Sequence, residues 1–170
     1  MSSNTFYGKY RGTVLNNIDP MQMGRIMVQV PDVTGLLPST WAMPCFPITG
    51  RQMGFYALPQ IGAGVWVEFE QGDPDYPIWS GCWYGSVAEI PALALAGNPA
   101  SPSIVLQTGL QNTLMISDLP GPTGGILIKS TTGAMISVND IGITISNGKG
   151  AMITMLGPVI DLNNGALTII

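Results

Sequence analysis

From residue 125 onward, glycine punctuates the chain at nearly constant intervals: Gly125, Gly133, Gly142, Gly150, Gly157 and Gly165 are spaced by 8, 9, 8, 7 and 8 residues. Each precedes a short apolar run. The runs are Ile126-Leu127-Ile128, Ala134-Met135-Ile136-Ser137-Val138, Ile143-Thr144-Ile145, Ala151-Met152-Ile153-Thr154-Met155, Val159-Ile160-Asp161-Leu162 and Ala166-Leu167-Thr168-Ile169. Such a period holds one strand and one turn and is too short for a helical solenoid repeat. Ile141, Ile143 and Ile145 alternate with Gly142, Thr144 and Ser146, the two-residue period of a half-buried strand. Asn147-Gly148 and Asn164-Gly165 supply hairpin turn chemistry.

Residues 104–170 hold 12 Ile, 8 Leu, 4 Met and 3 Val, and no aromatic residue. This composition suits a narrow core in which isoleucines from several chains meet on an axis. Oligomerisation would also close strand edges that a lone short meander leaves open.

The first half is chemically different. All 13 aromatic residues lie between Phe6 and Tyr84, while 12 of the 18 isoleucines lie between Ile104 and Ile170, so the chain divides into two units. Gly85 to Ser103, with Pro91, Pro99 and Pro102, reads as an irregular connector. The expected division is a first domain at 1–90, a linker at 91–103 and a second domain at 104–170. In the first, Tyr10–Leu15, Gly24–Val30, Gly64–Glu70 and Ile78–Tyr84 have strand length and strand composition, separated by Asn17-Ile18-Asp19-Pro20, Pro31-Asp32 and Gly72-Asp73-Pro74-Asp75. Alternation puts Val65, Val67 and Phe69 on one face and Trp66, Glu68 and Glu70 on the other. No helical period is present. The fold class is all-β, and about five short strands imply a small closed barrel such as an OB-fold, or a sandwich.

Only 16 of 170 residues are charged, too few to cover an ordinary monomer's surface, so the chain either enters a membrane or buries much of its surface against protein. The longest stretch without charge, Ile90 to Ser117, is broken by Pro91, Gly97, Pro99, Pro102 and Gly109, which excludes a spanning helix. Met1 to Tyr10 lacks the apolar core of a signal peptide, so synthesis and assembly in the cytoplasm are expected. The net charge is −4, and Lys9, Arg11, Arg25, Arg51, Lys129 and Lys149 are scattered singly, which argues against nucleic acid as a partner.

Chemistry is equally sparse. There is no histidine, hence no Ser-His-Asp or Cys-His pair, and no catalytic, cofactor-binding or metal-binding residue is assigned. Glu68, Glu70, Asp73 and Asp75 read as a solvated strand face and a turn rather than a catalytic carboxylate pair. Cys45 and Cys82 read as buried free thiols. Trp66, Tyr76, Trp79, Trp83 and Tyr84 could stack bases or sugars, but without basic neighbours they read as core and interface packing. Met21, Met23, Met27, Met135, Met152 and Met155 read as core fillers.

In the first unit, Gly12-Thr13-Val14, Asp19-Pro20, Gly24-Arg25-Ile26-Met27-Val28-Gln29-Val30-Pro31-Asp32, Trp41 with Pro44, and Leu58-Pro59-Gln60-Ile61-Gly62 form one set of motifs. Val65-Trp66-Val67-Glu68-Phe69, Gly72-Asp73-Pro74-Asp75-Tyr76-Pro77, Gly81 and Tyr84 complete it. Together with the repeats at 126–134 and 139–145, this pattern resembles the central spike proteins of contractile injection machines. Those include phage baseplate assembly protein V and the C-terminal part of the type VI valine-glycine-repeat spike.

The resemblance implies an OB-fold collar domain followed by an intertwined trimeric β-helix, or β-prism. The implied role is a structural one: a homotrimer on the tail hub of a virion or phage-tail-like particle, touching the target cell envelope only transiently as sheath contraction drives it through. For Leu167, Ile169 and Ile170 it leaves two readings open: they seat a tip protein of the PAAR-repeat type, or they finish the prism core. Without histidine, the His-bound metal tip of some phage spikes is not expected, and the 19-residue connector Gly85 to Ser103 leaves no room for an inserted muramidase domain. The competing reading is an OB module that binds carbohydrate or single-stranded nucleic acid, with the repeats as an oligomerisation stalk.

Overall fold

The computed structural model describes residues 4–101 and 103–169. Two compact units divide between Val87 and Ala88.

The first unit is a closed five-stranded barrel. Its strands are β1 (Tyr10–Asn16), β2 (Ile26–Gln29), β3 (Pro38–Pro44), β6 (Gly64–Phe69) and β7 (Pro77–Trp83), in the order β1-β2-β3-β7-β6. β6 pairs back onto β1, and β3 runs parallel to β7, which closes the barrel in OB-fold fashion. A two-strand hairpin, β4 (Thr49–Gly50) with β5 (Met53–Gly54), sits between β3 and β6, and a one-turn helix α1 (Pro31–Thr34) follows β2.

Alternation builds the interior. Val14, Ile26, Val28, Val30, Ala42, Val65, Val67, Phe69 and Trp79 form one buried cluster. Burying a side chain of this size contributes roughly 1.5–3 kcal/mol. Trp79 carries its polar atom inward without penalty, because Nε1 donates to the Gly24 carbonyl at 3.1 Å.

The second unit is an eight-stranded antiparallel sheet: β8 (Ile104–Gln107), β9 (Thr113–Ser117), β10 (Gly125–Lys129), β11 (Met135–Val138), β12 (Gly142–Ser146), β13 (Met152–Leu156), β14 (Val159–Leu162) and β15 (Leu167–Ile169). Each strand pairs with its sequence neighbour. All six glycine-led runs are strands. Gly148, at φ +71°, shows why glycine recurs in the turns: a Cβ there would lie 2.6 Å from the backbone carbonyl carbon of Gly133. A one-turn helix α2 (Ala92–Leu95) precedes the sheet.

Two expectations about burial need correction. Cys45 and Cys82 are free thiols but exposed, because Cys45 lies just past β3 and Cys82 past the bulge that shifts the β6–β7 register. Met21 and Met23 are also exposed, being carried on the loop between β1 and β2.

Candidate functional site: the apolar face of the C-terminal sheet

In a pleated sheet, residues directly opposite each other across strands point to the same side. The registers of β8–β15 therefore sort the second unit's side chains into rows. One row is Ile104, Ile116, Ile126, Val138, Ile143, Met155, Ile160 and Ile169. A second row on the same face, two residues away along each strand, is Leu106, Leu114, Ile128, Ile136, Ile145, Ile153, Leu162 and Leu167. All 16 positions are aliphatic or Met, and 13 of them are at least 38% exposed in the single chain. Contiguous exposed apolar area of this kind marks a contact surface.

The row between them, on the opposite face, reads Val105, Met115, Leu127, Ser137, Thr144, Thr154 and Asp161. It begins apolar and turns polar. The apolar end is covered by the chain itself: Met115 is 5% exposed, and Leu93 of α2 and Leu119 line one hollow with Met115 and Leu127. From Ser137 onward the row carries hydroxyls and a carboxylate. Met135, Met152, Leu156 and Val159 share that face, so it is mixed in character, whereas the other is wholly apolar.

Leu167 and Ile169, expected as docking residues for a tip protein, are the last members of the two apolar rows. Ile170 lies outside the described residues.

The barrel holds one dense polar centre that was read from sequence only as a turn. Asp19, 7% exposed, accepts from the backbone N–H groups of Met21 and Met23, each at 2.9 Å, and of Arg25 at 3.3 Å. The Arg25 guanidinium adds a 2.6 Å contact from Nη2 and bonds from Nε, and it lies 5.5 Å over the Trp41 ring. The guanidinium, with the backbone donors, holds the Asp19 carboxyl far below the ordinary aspartate range, against the opposing effect of desolvation. Every oxygen is engaged, so this is a fastening of the loop between β1 and β2. The Asp-Pro turn and an Arg six residues on were the only signals for it.

The other carboxylates behave as a surface and a turn. Glu68 pairs with Lys9 at 3.0 Å, and Asp73 accepts from the Asp75 N–H at 3.0 Å. Among the described residues, no group of three or more His, Cys, Asp or Glu side chains could hold a metal ion, and no helix is long and apolar enough to cross a membrane. The aromatic set is dispersed. Trp79 is core, Tyr76 and Tyr84 are exposed, and the Arg11 guanidinium lies over both Trp66 and Trp83, at 5.8 and 5.2 Å from the ring centres. A single cation occupies one face of each ring that a base or sugar would use.

An OB-fold barrel joined in sequence to a one-layer sheet with one wholly apolar face defines a class: a two-module protein whose second module offers a surface for self-association. Residues 10–84 match the family described as the type VI secretion system/phage-baseplate injector OB domain. Residues 103–168 match the phage baseplate V C-terminal trimerisation domain. These spans are 75 and 66 residues, 141 of the 170 together, and the chain belongs to the phage baseplate V family of injection-system spike proteins.

Two curated relatives share shorter stretches. The type VI secretion system spike protein VgrG5 of Pseudomonas aeruginosa is 38% identical over 53 residues, which is 31% of this chain and 7% of that protein. The actin cross-linking toxin VgrG1 of Vibrio cholerae is 48% identical over 46 residues, 27% of this chain and 4% of the toxin. The stretches shared with this chain are thus a small part of both relatives.

Proposed function

We propose that this protein is the structural central spike of a contractile phage tail or phage-tail-like particle. It works as a homotrimer fixed to the tail hub and driven through the target cell envelope when the sheath contracts. The observation that carries the reading is the pair of unbroken apolar rows on β8–β15, most of whose members are exposed among the described residues. The match of the same residues to a trimerisation domain supports three copies as the cover.

The work is mechanical and involves no chemical step. The barrel, which completes its core alone, serves as the attachment to the hub, with residues 1–90 as that domain, 91–103 as the linker and 104–170 as the spike. A tip protein would dock at Leu167, Ile169 and Ile170 on the finished trimer; an assembled particle whose spike ends bare would dispose of that cap.

Light scattering on the purified full-length protein tests the central claim. A trimer of 17.9 kDa chains has a mass of about 54 kDa. That mass supports the spike, and a stable single-chain mass sinks it.

A further inference from the structure

We propose that Arg11, held over Trp66 and Trp83 on the outer wall of the barrel, is a docking point for a carboxylate presented by a protein partner. The inference rests on the spike reading above, in which that partner is the tail hub, and it specifies the surface and the chemistry of the attachment.

Strand register assembles the group. Arg11 lies opposite Trp66 across β1 and β6, and Trp83 lies opposite Gly64 across β6 and β7. Arg11 is exposed and both tryptophans are half-buried, whereas Gly12, Val65 and Val67 beside them are buried. Trp83 is fixed from two directions. Its Nε1 donates to the Val65 carbonyl at 3.2 Å, and its ring lies so close over Gly64 that a Cβ there would meet it at 2.6 Å. Glycine at 64 thus leaves the indole its seat. Trp66 completes the platform, with its ring centre 6.4 Å from that of Trp83 and a 52° angle between the two planes. The guanidinium stands 5.8 and 5.2 Å from the two ring centres.

The rings restrain the cation without using its hydrogen-bonding capacity. Among the described residues Arg11 makes no hydrogen bond or ion pair, whereas Arg25 is bound to Asp19 and Lys9 to Glu68 and Ser80. A guanidinium set over an aromatic ring engages a face and keeps its edge, where forked N–H donors match the two oxygens of a carboxylate. Charge points the same way. Glu68, two residues from Trp66 on the outer face of β6, is neutralised by Lys9 at 3.0 Å, so the charge left for a partner to meet is that of Arg11.

The same geometry selects the kind of partner. A sugar or base stacks on ring faces, and here Gly64 lies against one face of Trp83 while Arg11 covers a face of each indole. A side-chain carboxylate needs only the free edge of the guanidinium. Trp and Arg are also the residues most enriched at the energetic centres of protein interfaces, and an arginine already restrained loses less freedom on binding.

The test is incorporation of full-length variants into the particle, read as spike chains per particle by mass spectrometry. Each purified variant is first checked for a three-chain mass and for the near-ultraviolet signature of a folded barrel. Arg11→Glu should lower incorporation by about tenfold or more, while Arg51→Glu, on the exposed turn between β4 and β5, leaves it unchanged. Arg11→Gln, with no reversed charge, should lower it several-fold and carries the test if Arg11→Glu does not fold. Wild-type incorporation of a folded Arg11→Glu trimer overturns the docking point. An equal loss with Arg51→Glu also overturns it, since the effect is then one of general surface charge.

Arg11→Lys retains the charge and should be incorporated at a reduced level. Carbodiimide, which couples an amine directly to a carboxylate, should then join position 11 to an Asp or Glu of the hub in peptide maps of those particles. A join to another copy of this chain, or none at position 11, overturns the assignment. Particles that contain no wild-type chain remove the spike reading itself, and this inference with it.

Discussion

The barrel and the C-terminal sheet use the same alternation and complete their cores by different means. In the barrel, strand order curls the sheet until β6 meets β1, and nine inward residues become 6% exposed or less within one chain. In the C-terminal sheet the ladder runs straight from β8 to β15 without closing, and its apolar residues remain open. Side-chain choice follows. The barrel interior takes Trp79 and Phe69 to fill a curved space, whereas the sheet's rows contain only Ile, Leu, Val and Met, which stack at the regular strand spacing. A closed ladder lets a chain satisfy itself, while an open one with a dry face makes copies of the chain part of the fold.

The largest expected effect breaks the comparison at the sheet. Ile136→Asp with Ile145→Asp places six carboxylates in adjoining layers of a trimer core. The mass should fall to that of a single chain in light scattering, while the barrel's near-ultraviolet signature from its aromatic residues survives. Next is the barrel's own core. Val65→Ala, at a fully buried position, should cost about 2–3 kcal/mol and lower only the barrel's melting midpoint, with the three-chain mass unchanged.

Gly148→Ala should destabilise the sheet by more than about 1 kcal/mol per chain, because it combines a positive φ with a backbone collision. Calorimetry should place that loss in the transition that Val65→Ala leaves alone. Asp19→Asn should lower the barrel midpoint by less than Val65→Ala does. Since the folded Asp19 is held below its ordinary value of 3.8, its stabilisation is complete above that pH and is lost as pH falls toward the depressed folded value. The gap in midpoint between wild type and Asp19→Asn should therefore stay constant from pH 7 to about 5 and shrink only in stronger acid. The smallest effect is expected for Lys9→Ala, which removes an exposed pair with Glu68 and should change stability by less than about 1 kcal/mol.

The sequence made the sheet's repeats visible because each apolar run is announced by glycine, and all six became strands. β8 and β9 lacked that punctuation. They lay within the uncharged stretch from Ile90 to Ser117, with only Gly109 marking the turn between them. β3 was hidden by the prolines at its two ends, a residue type that usually argues against a central strand. Those ends are where a missing N–H is tolerated. The two apolar rows could not be read from any single run, because they exist only once eight registers are fixed. Asp19 illustrates the converse case: its turn was legible, but an ion pair six residues away depends on how the loop folds back.

Antiparallel ladder bonds lie perpendicular to their strands, so those of β8–β15 are aligned with the direction in which the strands are stacked. A push along that direction presses strand upon strand, and all eight resist in series. A pull on residues 167–169 loads only the short β14–β15 ladder, then the next, as a zip opens. The sheet is therefore strong in compression and weak in tension, so a load along the stack is borne well in one direction only.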